Sequence, residues 1–190
     1  PDSGGSVSVL SDRSIRACLD SLSDPRLRIE PLAEGAVQPS SIDLHLGESL
    51  SLMPYGTVID PEIDQSDLWE DVPAREDGRW WLAQNRLYLG VTAEEIAIPN
   101  DLMGTLHGVS SLGRLGLLVH VTAGLADAGF SGRLTLELVS LGGTILLRPG
   151  MRIAQLTLHR MTSPAEAPYS GRYMNDVDPT PSRAWKDGAS

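Results

Sequence analysis

A glycine or a proline interrupts this chain at roughly every sixth position, with nineteen Gly and thirteen Pro in 190 residues. Glycine weakens a helix interior and proline breaks it, so punctuation this dense excludes a helical bundle. Short strands joined by turns tolerate it. From Arg79 onward, apolar runs alternate with Gly or Pro: Trp80–Leu82, Leu87–Thr92, Leu102–Leu106, Leu117–Thr122, Arg133–Val139, Thr144–Leu147 and Ile153–His159. That pattern predicts an all-β sandwich or barrel. Upstream, Gln38–Gly47 reads as a turn and a strand, with Ile42, Leu44 and Leu46 alternating. One helix is expected from Ser11 to about Leu22, with Ser11 as N-cap, Asp12 at the positive end, and Ile15, Cys18, Leu19 and Leu22 at helical spacing.

Three segments follow from this reading. Residues 1–9 open on Pro-Asp-Ser-Gly-Gly-Ser and are expected to be a disordered or residual tail. Residues 10–166 form one β domain. Residues 167–190 hold Tyr, Arg, Pro and Asp without apolar periodicity, so this tail is either disordered or ordered by contact with a ligand or a neighbouring subunit.

Charge narrows the function classes. The net charge of −10 argues against a broad nucleic-acid surface, which needs basic patches. A few converging Arg can still hold a small phosphorylated ligand, and Lys186 is the only Lys, so the cations are nearly all Arg, the better bidentate phosphate partner. The lone Cys18 excludes an internal disulfide framework, thiolate zinc clusters and iron–sulfur centres, and fits a reducing cytoplasm. No apolar run approaches the ~20 residues that span a bilayer, and no leader pattern is read, so a cytoplasmic protein without a membrane partner is expected. Residues 60–71 carry Asp60, Glu62, Asp64, Asp67, Glu70 and Asp71, which read as a solvated surface insertion rather than a metal site.

Four places can carry chemistry. In Gly132-Arg-Leu-Thr-Leu-Glu-Leu-Val139, Leu134, Leu136 and Leu138 share one face, and Arg133, Thr135 and Glu137 the other. Glu137 therefore points into either water or a polar cavity, where a rigid carboxylate suits general acid–base work. In Leu106–Gly116, Ser110, Ser111, glycine-flanked amides and Arg114 can cradle phosphate oxygens or simply cap a helix; the Gly-Lys-Ser/Thr ending of a P-loop is missing. Asp127 stands in the Gly-rich turn 122–132, either bonding its own backbone or binding a ligand hydroxyl. His45, His107, His120 and His159 show no metal-ligand spacing; His120 and His159 are expected in strands, as core or interface residues.

Six motifs occur in order between about Leu10 and Arg183: Gln38-Pro-Ser-Ser-Ile-Asp43, Ser110-Ser-Leu-Gly-Arg-Leu-Gly-Leu117, Thr122-Ala-Gly, Asp127-Ala-Gly-Phe-Ser-Gly132, Thr135-Leu-Glu137 and Arg148-Pro-Gly-Met151. Together they resemble the deoxycytidine triphosphate (dCTP) deaminases of the dUTPase-like superfamily. The resemblance implies an all-β distorted jelly roll with a short N-terminal helix. It also implies a homotrimer with intersubunit active sites and a C-terminal tail that closes over a pyrimidine nucleotide. It implies a hydrolase that deaminates cytosine without zinc, unlike the H-x-E…P-C-x-x-C enzymes, with Mg2+ carried on the nucleotide phosphates.

Carried over by position, Glu137 matches the catalytic carboxylate, Ser110 and Arg114 match residues beside the reacting water and phosphates, and Asp127 matches the reader of the 3′-hydroxyl. Thr135 and Leu136 match the segment facing the base. Val109, Ser111, Leu112 and Gly113 complete the phosphate turn, and Gln155, Tyr169, Arg172 and Asp176 match further nucleotide contacts. Gly124 after Thr-Ala resembles bifunctional members that continue to dUMP and diphosphate. Three positions depart from the family: Val109 replaces a cation, Arg172 a Lys and Asp176 a Gln. The expected activity is hydrolytic deamination of dCTP at C4 followed by diphosphate release. The alternatives are a paralogue acting on a modified or less phosphorylated pyrimidine nucleotide, and a non-catalytic nucleotide-binding relative.

Overall fold

The computed structural model describes residues 8–122 and 124–189. Pro1–Ser6, and Ala123 of the Thr-Ala-Gly motif, lie outside the described residues. In chain order the elements are helix α1 (Asp12–Leu19) and strands β1 (Arg28–Glu30), β2 (Val37–Gln38), β3 (Ser41–Leu52), β4 (Glu70–Asp71), β5 (Trp80–Leu82), β6 (Leu87–Thr92), β7 (Glu95–Ala97) and β8 (Leu102–Gly108). Helix α2 (Ser110–Gly113) follows, then β9 (Leu117–Leu118), β10 (Leu125–Ala126), β11 (Ser131–Gly132), β12 (Thr135–Ser140), β13 (Ile145–Leu147) and β14 (Arg152–Arg160).

These strands make an all-β, jelly-roll-like fold. A curled antiparallel sheet runs β10-β8-β14-β3-β6-β12-β9, with β2 and β4 flanking β3; β1-β7-β11 and β13-β5 form two smaller sheets. β3 joins the halves, pairing with β14 through Ile42–His45 and with β6 through Leu46–Leu52. The changeover lies at Gly47, where a Cβ would stand 2.9 Å from Val91 Cγ1 and 3.0 Å from the Val91 carbonyl oxygen. Only glycine allows β6 to approach so closely.

The alternating leucines and isoleucines fill the interior. Ile42, Leu44, Leu46, Leu136, Leu138, Leu156 and Leu158 are fully buried, each contributing about 1.5–3 kcal/mol of burial. A corner of hydrogen bonds ties β3, β6 and β12 together. Glu94, 2% exposed, accepts hydrogen bonds from the His45 amide (3.0 Å to Oε2), and its Oε1 lies 2.6 Å from His45 Nδ1. The Thr92 hydroxyl donates to the Glu94 carbonyl (2.8 Å) and accepts from the Leu134 amide (3.0 Å).

Several boundaries differ from expectation. α1 ends at Leu19, and Leu22 is exposed, because Ser21 and Ser23 bond each other (2.7 Å), and the Ser23 amide donates to the Ser21 hydroxyl, in a competing local turn. Ser11 sits at the N-cap without a side-chain cap bond. Ser8–Leu10 are ordered along β14: the Leu10 amide donates to Leu158, and the Arg160 amide to Ser8. The strand expected over Leu117–Thr122 stops at Leu118. β1, β7, β10 and β11 were not legible, being two- or three-residue strands defined by distant partners.

The acidic stretch is largely exposed and folds on itself. Asp60 Oδ1 accepts from the Glu62 amide (2.9 Å), and Asp64 Oδ1 from the Ser66 hydroxyl (2.7 Å) and amide (3.0 Å). Those two Ser66 bonds, the hydroxyl's first, hold the Asp64 carboxyl below its usual 3.8. Among the described residues no three His, Cys, Asp or Glu gather as a metal-ligating group, and no helix is long and apolar enough to cross a membrane.

Candidate active site

β12 places its leucines in the core and its polar face on a cavity of about 510 Å³. Half-buried Glu137 lines that cavity, and its Oε2 accepts from the Val121 amide at 2.7 Å and the Thr122 amide at 3.4 Å. This explains the shortened strand after Leu118: amides that would continue a ladder turn to the carboxylate instead. Beside Glu137 are Asp127 and Thr135, with Phe130, Leu89 and Trp69 giving the cavity an apolar side. A carboxylate fixed by backbone donors against apolar and aromatic walls can bind a flat polar ring and move a proton at its edge.

The tail forms the rest of the wall. Tyr169, Tyr173, Asp176, Thr180 and Ser182 line the cavity. The segment is laid down by backbone bonds: Tyr169 amide to Ala128 (2.8 Å), Asn175 amide to Ser131 (2.7 Å), and Arg133 amide to the Asp176 carbonyl (2.8 Å). The Thr180 amide donates to the Thr135 hydroxyl at 3.2 Å. Gly129 makes this docking possible. Its φ is +89°, and a Cβ there would fall 2.6 Å from Pro168 Cβ and 3.0 Å from the Tyr169 nitrogen. Gly129→Ala is expected to cost roughly 1–3 kcal/mol in left-handed strain and displaced tail, and to speed trypsin cleavage after Arg172. Cleavage and melting both unchanged would show the tail is not held there.

The sequence-predicted residues divide into two groups. Asp127, Thr135, Glu137, Tyr169 and Asp176 come together around the cavity. Val109, Ser110, Ser111, Leu112, Gly113 and Arg114 do not line it. They build α2, with Val109 and Leu112 buried and Ser110, Ser111, Gly113 and Arg114 exposed on the surface of this chain. Leu136 turns into the core at 0% exposure, as the alternation dictates, so only its backbone reaches the site's strand. Gln155 lies on β14, where its amide donates to Asp43 Oδ1 (2.9 Å) beside Arg152, which binds Asp43 Oδ2 (2.9 Å). Arg172 is outside the cavity lining; it donates to the Arg183 carbonyl (2.5 Å) and pairs with Asp187.

The departures acquire structural meaning. Val109 is buried, 6% exposed, and does not line this chain's cavity. Asp176 is paired with Arg183, Oδ1 to Nη2 and Oδ2 to Nη1 both at 3.2 Å. At Gly124 a Cβ would stand 3.2 Å from the Leu106 carbonyl oxygen and 3.4 Å from His120 Cε1, so glycine leaves the His120 ring undisturbed.

His120 is the main residue the sequence reading misplaced. It lies beyond β9 outside any strand, lines the cavity, and its buried Nδ1 has no hydrogen-bond partner. No sequence signal marked it, because the apolar run it belongs to reads as a continuing strand. His159 does lie in a strand, 3.3 Å from the Thr105 hydroxyl. Trp69, Phe130, Tyr173, Thr180 and Ser182 were also missed; Arg133 was legible as sharing Glu137's face.

Comparison with known proteins identifies the family. A family model described as dCTP deaminase-like matches residues 9–161. The chain is 46% identical over 187 residues to a protein of Parafrankia sp. named "dCTP deaminase, dUMP-forming", covering 94% of this chain and 92% of that one. A protein of the same name from Acidothermus cellulolyticus is 44% identical over 187 residues, covering 94% and 96%. The solved 2′-deoxycytidine 5′-triphosphate deaminase of Agrobacterium tumefaciens superposes with a TM-score of 0.63 at 26% identity, over 82% of this chain. This chain spans about half of that one, 48%. On the family match and the relatives' near-complete coverage, the chain belongs to the dCTP deaminase-like family.

Proposed function

We propose that this protein hydrolyses dCTP at C4 of the base and then releases diphosphate to give dUMP, as a cytoplasmic homotrimer. The observation that carries the reading is Glu137, held by two backbone amides on the wall of a cavity with apolar and aromatic walls. The names of the relatives supply the substrate class.

In the first step Glu137 accepts a proton from water as hydroxide adds to C4 and passes that proton to N3; it then takes the proton of the new C4 hydroxyl and delivers it to the leaving amine, so dCTP and water yield dUTP and ammonia. Asp127 receives the deoxyribose 3′-hydroxyl. Thr135 and the Leu136 backbone face the base, and Tyr169 with the tail excludes water. In the second step another water attacks at phosphorus and diphosphate leaves. Gly124 supports this step by keeping the turn free of a side chain. Magnesium enters on the phosphates as part of the substrate.

Ser110 and Arg114 lie off this chain's own cavity, and the Arg114 side chain is exposed. A phosphate-binding turn exposed in one copy and a carboxylate in a cavity of the same copy are both used if a neighbouring copy supplies the turn. Gln155 belongs with that contributed surface.

Two experiments test the proposal. Incubation with dCTP, dCMP, CTP and dUTP, with ammonia and diphosphate assayed separately, is expected to give both products from dCTP and dUMP as the end point. Absence of ammonia from every cytosine nucleotide overturns the enzymatic reading. Co-expression of Glu137→Gln with Arg114→Gln, each inactive alone, is expected to restore about a quarter of native turnover by random mixing in a closed ring. No restoration would place both residues in one chain's site.

A further inference from the structure

We propose that Asp176 is a specificity-determining residue: a resident anion in the cavity wall that competes with the ligand's phosphates for Arg183, and so sets the preference for phosphate number. The inference rests on the reading of the cavity as a nucleotide site.

The charges on the page point this way. The cavity lining holds one guanidinium, Arg133, against the carboxylates of Asp127, Glu137 and Asp176. The next cation is Arg183, and Asp176 already engages it at both oxygens. Arg183 also donates to the Arg172 carbonyl, and its guanidinium lies 5.4 Å from the Tyr173 ring centroid, so the resting tail occupies its donors.

The backbone that carries Asp176 is held in place. Its carbonyl holds the Arg133 amide, and the preceding Asn175, with φ +59°, binds the Ser131 carbonyl. Gly132, φ +136°, brings the strand so near that a Cβ would stand 3.1 Å from the Asp176 carbonyl oxygen. The carboxylate is nevertheless poorly satisfied. Oδ2 is buried without a hydrogen bond, because Arg183 Nη1 approaches at 3.2 Å outside good alignment. An imperfect ion pair is one that a stronger anion can open.

A polyphosphate brings more negative charge than a monophosphate to the same place. It gains more from Arg183 when Arg183 is free, and is repelled more by Asp176 when it is not. A monophosphate, short of that end of the site, is affected less. Asp176 therefore narrows the affinity gap between tri- and monophosphates.

The test is calorimetric titration of dCMP, dCDP and dCTP in the Glu137→Gln background, where turnover is removed. Adding Asp176→Asn is expected to tighten dCTP by about tenfold or more while moving dCMP less than about threefold. The gain for dCTP is expected to vanish when Arg183→Gln is added. An unchanged dCTP-to-dCMP ratio, or a gain that survives loss of Arg183, overturns the inference while leaving the nucleotide site standing. Failure of all three nucleotides to bind the native protein as well as the Glu137→Gln parent sinks the nucleotide site itself. If the Asn variant does not fold, Asp176→Gln is put through the same titration.

Discussion

Glu137→Gln is expected to lower ammonia release from dCTP by about 10²–10⁴-fold in kcat, the usual contribution of a general acid–base group, with dCTP binding still measurable. Glutamine keeps the length and one oxygen, so the bonds from the Val121 and Thr122 amides can persist with the amide oxygen as acceptor. What it removes is the capacity to take a proton from water and return it. Its neighbour Leu136 is fully buried on the opposite face, so the strand itself should remain in place and the melting temperature should stay near that of the parent. Turnover within tenfold of the parent would remove Glu137 from the chemistry. Loss of binding together with turnover would instead make it a binding group.

His45→Ala is expected to destabilise the fold by about 1–3 kcal/mol, the range for leaving a buried polar group short of a hydrogen-bond partner. Glu94 is 2% exposed, and its side chain would keep only the residue-45 amide as donor among the contacts described for that corner. Urea unfolding measures the loss, and a change below 1 kcal/mol would show that the pair is dispensable. The damage would spread to the site. The Glu94 carbonyl holds the Thr92 hydroxyl, which in turn receives the Leu134 amide one residue before β12 begins. The same variant is therefore expected to weaken ligand binding at temperatures where it remains folded, by loosening the strand that carries Thr135 and Glu137.

The difference between legible and illegible parts of the molecule has a physical source. In β12 a period-two pattern and a buried sheet face specify one another, so the inward leucines and the outward Thr135 and Glu137 were readable in advance. The same logic found β3, β5, β6, β13 and β14 within a residue or a few. It failed for β1, β7 and β11, whose two or three residues have no period of their own and exist only because they pair across Ile29, Ile96 and Gly132. It failed for His120, because a strand-like run of apolar residues continues past Leu118 although its amides turn to Glu137.

The site shows the same division. Asp127, Thr135, Glu137, Tyr169 and Asp176 were named from motifs and meet at one cavity. Their meeting could not be read from spacing, because the tail is laid along residues 128–133 by backbone bonds that any sequence can make, steered by the two close approaches at Gly129 and Gly132. Trp69 entered the cavity from a stretch that looked like plain acidic surface.

By itself the sequence determined the class of fold, the family and the strand on which Glu137 stands, since all three depend on local periodicity and on ordered motifs. Tertiary structure alone decided that Asp176 is tethered to Arg183, that Val109 is buried, and that the Ser110–Arg114 turn stays off this chain's own cavity. These are facts about residues far apart along the chain, or about which side of a surface a turn presents. They follow from the whole set of packed partners, which no local stretch of sequence contains.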